Sequence, residues 1–329
     1  MVIDIHSHFL PDVLVDYIRR KGDALDTQVV IEDGREYLSH KEGFKYPVFR
    51  EFYDYGTRIA DMDKMGVDKA ILSLSPSVFY YFIDREEAAV TSAMCNDWLA
   101  DFVSRHPDRL GGMATLPMQD IALSLKELKR AHTELGMKGI EIAPVILDRQ
   151  LDDEVFFPIY DYCASNGIVI FLHPYYPGYP EARSEYANYY NKNLVGNVYE
   201  TNCGLNHLVL GGVFERFPAL SVIASHGGGY FPYQAGRLVH GYKVRQEPKA
   251  LIHQSPEHYF KNLYFDTITH WNPALQFLSD SFGADHVLVG TDYPFDMGDD
   301  EPVTHVNGLR LTRQERESIL HGNAEKLFL

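Results

Sequence analysis

Eight short apolar, β-branched runs recur along the chain, at residues 1–5, 69–74, 110–116, 139–144, 167–172, 220–225, 263–268 and 287–291. Between them the spacing of apolar positions changes. Over residues 86–105, Ala89, Val90, Ala93, Met94, Trp98, Leu99 and Phe102 recur with a period of about 3.6 residues, which predicts an amphipathic helix stopped at His106-Pro107-Asp108. Residues 124–135 repeat the pattern, with Leu125, Leu128 and Ala131 on one face and Gly136 as the stop. Short strands alternating with helices predict a parallel sheet, and eight such units can close into a (β/α)8 barrel, a TIM-like fold. The competing open, doubly wound sheet lacks its Gly-x-Gly-x-x-Gly turn after the first strand.

One interval is out of proportion. About 60 residues separate His8 from Lys69, where a barrel unit needs roughly 30. The excess, about residues 27–55, is rich in charge and aromatics, and residues 29–37 read as a small strand and turn. An insertion after strand 1, at the catalytic face, predicts a lid. The tyrosine-rich stretch 175–199 after the fifth run should overhang the same face. A single domain spanning residues 1–329 accommodates all of this.

Composition narrows the partners. The formal charge of −16, with no basic stripe, argues against nucleic acid and anionic membrane, so an anionic substrate would need local cations. Cys95, Cys163 and Cys203 lie far apart without CxxC spacing, which predicts reduced thiols rather than a disulfide framework. The first strand begins at once, with no signal-like segment, and no apolar run is long enough to span a bilayer, so a cytoplasmic protein is expected.

The chemistry collects at the strand ends. His6 and His8 are two residues apart at the end of the first run, so both imidazoles project to one side and can grip one ion. His173 closes the fifth run, His226 closes the sixth, and Asp292 follows the eighth. A lone histidine in a soluble protein is usually a surface or core residue, and this chain has 15. Donors at the carboxyl ends of four strands, where parallel-barrel enzymes place their chemistry, predict a metal site instead.

Seven motifs in order then carry a resemblance: Ile-Asp-Ile-His-Ser-His-Phe-Leu-Pro from Ile3, Gly-Met-Ala-Thr-Leu-Pro-Met from Gly112, Phe-Leu-His-Pro from Phe171, Gly-Gly-Val-Phe-Glu-Arg-Phe-Pro from Gly211, Ser-His-Gly-Gly-Gly from Ser225, Gly-Arg-Leu-Val-His-Gly from Gly236, and Gly-Thr-Asp-Tyr-Pro-Phe from Gly290. From Val2 to about Phe328 the chain resembles the amidohydrolase superfamily and, within it, the branch of aminocarboxymuconate-semialdehyde decarboxylase and related non-oxidative decarboxylases.

The resemblance implies one divalent metal ion, zinc with manganese as the alternative, held by the residues matching His6, His8, His173 and Asp292, with a water completing the site. It assigns the residue matching His226 to activating that water as acid/base. Binuclear relatives carry a carboxylated lysine on the fourth strand. Here the segment Lys138-Gly-Ile-Glu-Ile-Ala-Pro has its only nearby lysine before the strand, which points to a single metal. Arg50 and Arg237 match arginines that bind substrate carboxylates, a task suited to a planar guanidinium. The arginine matching Arg237 enters the neighbouring subunit's active site, which implies a homodimer. Phe295, with Tyr175, Tyr176 and Trp271, could form an aromatic wall, a role that ordinary barrel packing matches equally well. Two departures stand out: the family's active-site lysine falls on Phe44, one place from Lys45, and its tryptophan-rich segment is replaced by residues 189–196.

The expected activity is therefore metal-dependent, non-oxidative decarboxylation of a small unsaturated or aromatic carboxylic acid. Protonating the carbon that bears the carboxylate makes carbon dioxide a good leaving group. The alternative is a mononuclear hydrolase or hydratase of a related ring or dienoic acid. A non-catalytic zinc scaffold is a third reading, but a scaffold has no need for an open metal position flanked by a spare histidine.

Overall fold

The computed structural model of the protein describes residues 1–41, 43–175, 186 and 188–329. In chain order the strands are β1 (Ile3–Phe9), β2 (Thr27–Glu32), β3 (Arg35–His40), β4 (Lys45–Pro47), β5 (Lys69–Leu74), β6 (Leu110–Gly112), β7 (Gly139–Ile142), β8 (Val145–Ile146), β9 (Arg149–Gln150), β10 (Val169–Leu172), β11 (Val222–Ala224), β12 (Leu263–Asp266) and β13 (Val287–Leu288). Two parallel sheets, β1-β5-β6 and β7-β10-β11-β12-β13, supply eight barrel strands. Parallel bridges from Ala114 to Ile140 and from Ser7 to Tyr293 join them edge to edge, so the ring closes. The eight strands fall on the eight apolar runs, and closure explains why those runs are continuous rather than alternating: helices cover the outside and side chains fill the inside.

Regular pairing is shorter than most of the runs. Gly167, expected to open the fifth strand, instead ends helix Phe157–Asn166 in a left-handed conformation at φ +66°. The two expected helices form at Arg85–Ser104 and Ile121–Thr133. The second begins before Ser124 because Asp120 accepts the Leu123 N–H and caps it.

The insertion after β1 is an antiparallel meander, β2-β3-β4. Asp33 and Gly34, both at positive φ, make the tight turn between β2 and β3. Leu38, Tyr46 and Phe52 from this region belong to the same buried cluster as Phe9, Leu10 and Leu72. Residues 176–185 and 187 of the tyrosine-rich stretch, Tyr176 included, lie outside the described residues. Among the described residues no helix is long and apolar enough to cross a membrane, and the three cysteines are free thiols.

The irregularity that matters for the site lies in β1. It pairs with β5 through Asp4 and Ala70, then through Ser7 and Leu72, so β1 contains one residue more than its neighbour over that interval. Below this bulge Ile3 and Ile5 join Ile71, Met113, Phe171 and Leu288 in the barrel interior. Above it His6 and His8 turn inward, and the His6 ring packs edge-on against Phe171 at 4.9 Å. Strict alternation would put the isoleucines and the histidines on opposite faces.

Phe171 is fully buried at the layer beneath the histidines. Phe171→Ala should lower the unfolding free energy by about 3–5 kcal/mol, read as a lower urea midpoint. A wild-type midpoint would refute the packed interior.

Candidate active site

Four donors converge at the carboxyl end of the barrel. Nitrogens of His6, His8 and His173 and a carboxylate oxygen of Asp292 all lie within 4.8 Å of one another, every one of these residues buried. His6 Nε2 is 3.1 Å from His8 Nε2, and Asp292 Oδ1 is 3.2 Å from the first and 3.1 Å from the second. Donors about 2.1 Å from a common ion stand roughly 3.0–3.4 Å apart, so these separations fit one shared cation. His173 Nε2 has no hydrogen-bond partner among the described residues. Buried polar atoms left this way are costly unless something coordinates them.

The outer partners set which nitrogens face inward. His6 Nδ1 donates to Asp266 Oδ2 at 2.6 Å, and His173 Nδ1 donates to the Pro174 carbonyl at 2.8 Å, which leaves each Nε2 lone pair for the centre. His8 Nδ1 is 3.3 Å from Ser73 Oγ. Gly290 sits between the two ends of the His6–Asp266 pair, and a Cβ there would come within 2.9 Å of both His6 Cβ and Asp266 Cβ. Only glycine lets the chain leaving β13 pass so close.

Electrostatics favour a cation at the centre. Burial opposes a proton on His6, but Asp292 and Asp266 outweigh it and hold its pKa up at about 10. Burial pushes His8 down to about 4 and His173 well below the usual imidazole value, the neighbouring imidazoles adding to the effect. Burial also works against charge on Asp292, yet His6 and the hydrogen bonds from His226, His6 and His8 hold its carboxyl well below the ordinary range. His8 and His173 are thus neutral beside an ionised carboxylate, and a metal ion would take the place of the proton that Asp292 and Asp266 hold on His6.

His226 stands apart. Its Nε2 is 3.4 Å from Asp292 Oδ2, its side chain is 15% exposed, and its Nδ1 is without a hydrogen-bond partner among the described residues. It opens a loop in which His226, Gly227, Gly228 and Gly229 all have positive φ. At Gly229 a Cβ would meet the Val198 carbonyl oxygen at 2.2 Å, so helix Val198–Leu210 presses directly on this loop. Asp266 accepts the backbone N–H of His226 at 2.8 Å and of Gly227 at 2.7 Å.

A pocket of about 90 Å³ opens onto His173, His226 and Asp292, with Phe44, Ser77, Asn193, Asn197 and Phe295 among its other walls. Beside it, and sharing His226, Asn193, Asn197 and Met297, lies a mostly apolar cavity of about 580 Å³ walled by Tyr230, Tyr233, Trp271 and Phe277. The larger volume is not the one that holds the donors.

The residues expected to bind substrate divide. Phe295 lines the small pocket, its ring 5.2 Å from that of His8. Trp271 lines the larger cavity, while Tyr175 is buried against Phe79 and Tyr81. Phe44 lines the pocket, whereas the adjacent Lys45 pairs with Glu32 on the surface. Arg50 is not brought in: its side chain is 70% exposed and paired with Asp54 at 3.1 Å. Arg237, on helix Phe231–Val244, is exposed and lines neither cavity. Lys138 Nζ donates to the Leu329 carbonyl, away from the donors.

Two buried carboxyls escaped the sequence reading. Asp266 ends β12 at the same level as the donors. Glu141, on β7, lies 3.9 Å from His8 Nδ1, and burial raises its carboxyl well above the ordinary range. The signal available for both was a lone acid inside an apolar run.

Residues 3–329 match the amidohydrolase family model. The 2-amino-3-carboxymuconate-6-semialdehyde decarboxylase of Dictyostelium discoideum is 32% identical over 98% of this chain and 90% of its own length. The gamma-resorcylate decarboxylase of a Polaromonas species is 30% identical over 82% of this chain and 86% of its own. Among solved structures, 5-carboxyvanillate decarboxylase from Novosphingobium aromaticivorans, complexed with manganese and 4-hydroxy-3-methoxy-5-nitrobenzoic acid, superposes with a TM-score of 0.84 at 26% identity over 99% of this chain and 95% of that one. A match of nearly full length, on a closed parallel barrel whose strand ends bring three imidazoles and a carboxylate together, means that the chain belongs to the amidohydrolase family.

Proposed function

We propose that the protein is a metal-dependent, non-oxidative decarboxylase of a small aromatic or unsaturated carboxylic acid. The observation that carries this reading is the spare imidazole of His226, partly exposed to the pocket and 3.4 Å from a carboxylate of the buried donor group. The relatives supply the reaction class, since those named above are decarboxylases. His6, His8, His173 and Asp292 would hold one divalent ion. Three imidazoles and a carboxylate suit zinc, and manganese is the ion in the carboxyvanillate decarboxylase complex. When bound, such an ion would act as a Lewis acid on the oxygens of the acid.

The protein's own groups do the rest. His226 holds a proton on the pocket side and delivers it to the carbon bearing the carboxylate. The bond from that carbon to the carboxylate then breaks, its electron pair restores the π system, and carbon dioxide departs. Phe295 forms one wall against a planar substrate. The meander β2-β3-β4 serves as a lid, a reading supported by Phe44 reaching the pocket from its last connection. Its share in the main buried cluster supports one domain over residues 1–329. The free thiols support a cytoplasmic setting.

The substrate's carboxylate needs cations, and Arg50 and Arg237 are assigned to it. Arg237 lies outside the pocket of its own chain but on the helix that presents Tyr230 and Tyr233 beside Trp271, three exposed aromatics around the larger cavity. An exposed aromatic patch of this kind suits burial against a second copy, and two-fold closure would bring Arg237 to the partner's site.

Three experiments test this. A panel of carboxylated catechols, resorcylates, salicylates and muconate semialdehydes should include an acid that loses carbon dioxide; a product that has gained water would make the enzyme a hydratase or hydrolase. Alanine at His6, His8, His173 or Asp292 should lower metal content and activity together, whereas His226→Ala should keep its metal and lose about 10²-fold or more in turnover. Two tightly bound ions per chain, or metal lost with His226, would reject the assignment. Arg237→Ala should be poorly active alone and regain activity when mixed with His226→Ala, because mixed dimers contain one site with both residues. No recovery despite proven subunit exchange would reject the shared site.

A further inference from the structure

A buried cation lies beneath the site and takes no part in the chemistry above. Arg58, on helix Tyr55–Met65, has no exposed surface. Its Nη1 donates to Ser7 Oγ at 2.8 Å. Its Nη2 donates to the His8 carbonyl and, at 2.9 Å, to the Glu51 carbonyl. Its guanidinium carbon is 5.0 Å from the centre of the Tyr293 ring, whose hydroxyl donates to Asp61 one turn further along the same helix at 2.9 Å. Among the described residues it forms no ion pair. Burial lowers its pKa only to about 10, so the group is charged at neutral pH.

Each contact falls on or beside a residue of the proposed machinery. Ser7 separates His6 from His8, Tyr293 follows Asp292, and Glu51 follows Arg50. The His8 N–H in turn donates to the Tyr293 carbonyl at 2.7 Å. Ser7 and His8 lie just past the bulge, where β1 rejoins β5 one residue out of step, Ser7 opposite Leu72 and His8 opposite Ser73, so this is where the strand's new facing has to be held. Charge-assisted bonds from a fixed guanidinium fork are strong and directional there. The same fork holds the turn Arg50–Phe52, so that turn and the donor strand share one anchor.

We infer that Arg58 is a positioning residue: it holds β1 just past its bulge so that His6 and His8 face the metal, and it ties the turn bearing Arg50 to the same strand. The inference rests on the metal-site reading proposed above. A lysine at this position can reach fewer of the three acceptors, and a methionine none.

The test loads purified variants with cobalt(II). The visible spectrum reports coordination geometry, chelator competition gives affinity, and amide exchange over residues 48–54 reports the turn. Arg58→Met should bind cobalt about 10–100-fold more weakly, with an altered spectrum and faster exchange in the turn. Arg58→Lys should lie between it and the wild type. Ser7→Ala, a milder change, should alter the spectrum with a smaller loss. Leu128→Ala, which opens a cavity in the buried face of helix Ile121–Thr133, should lower stability and leave the spectrum alone. Wild-type affinity and spectrum in Arg58→Met overturn the inference, as does an equal change in Leu128→Ala. If Arg58→Met does not fold, wild-type spectra in both Arg58→Lys and Ser7→Ala overturn it. His6→Ala separates the two levels. If it binds cobalt like the wild type, the metal site itself fails; if it loses cobalt while the Arg58 and Ser7 variants do not, only the role of Arg58 fails.

Discussion

A closed parallel barrel has a single inside, and β1 must fill it twice, with packing below and donors above. Ile3 and Ile5 occupy the apolar layer, while His6 and His8 occupy the polar one. A strand of period two cannot put both pairs on one face, because the intervals from Ile3 to His6 and from Ile5 to His8 are odd. The extra residue against β5 resolves the conflict. It also interrupts the ladder to β5 next to His6, so side chains supplement the backbone bonds that β1 keeps on its other edge. Asp266 does so from the barrel interior and Arg58 from outside.

Asp266 does more than orient one ring. Its carboxylate accepts from His6 Nδ1 and from the backbone N–H groups of His226, Gly227 and Ile268. One buried anion therefore fixes the tautomer of a donor and the placement of the loop that carries the acid/base candidate. Those backbone donors offset the cost of burying a negative charge. The geometry between His226 and the donor group is thus inherited from one residue at the end of β12, with Gly290 leaving it the room.

Much of this was legible in the linear chain, because the barrel repeats one local unit and places its chemistry at one end of each. The eight apolar runs mark the eight strands, and each donor stands at the end of its run. The bulge was not legible: an extra residue in a fully buried strand leaves no trace in hydrophobicity when both faces are covered. Asp266, Glu141 and Arg58 were also missed, since what each does depends on partners tens or hundreds of residues away. Arg58 in particular reads as a solvated charge on a polar helix, and becomes a buried fork only once β1 and the turn Arg50–Phe52 close over it.

The distribution of charge around the pocket bears on how an acid enters. The pocket walls named above are neutral apart from the histidines and Asp292, and Asp296 adds a further acidic side chain. With a formal charge of −16 over the chain, the field outside opposes an approaching carboxylate. Attraction must come from the ion held by the donors and from cations brought in by movement or assembly. For Arg50, proposed above for this role, the exposed pair with Asp54 is of a kind that contributes little to stability, so a carboxylate offering two oxygens would displace Asp54 at small cost. Asp54 then still caps helix Tyr55–Met65 through Thr57, at 2.8 Å, and that helix carries Arg58. Release of the Arg50 side chain therefore leaves that helix capped and Arg58 in place, so the donor strand keeps its anchor.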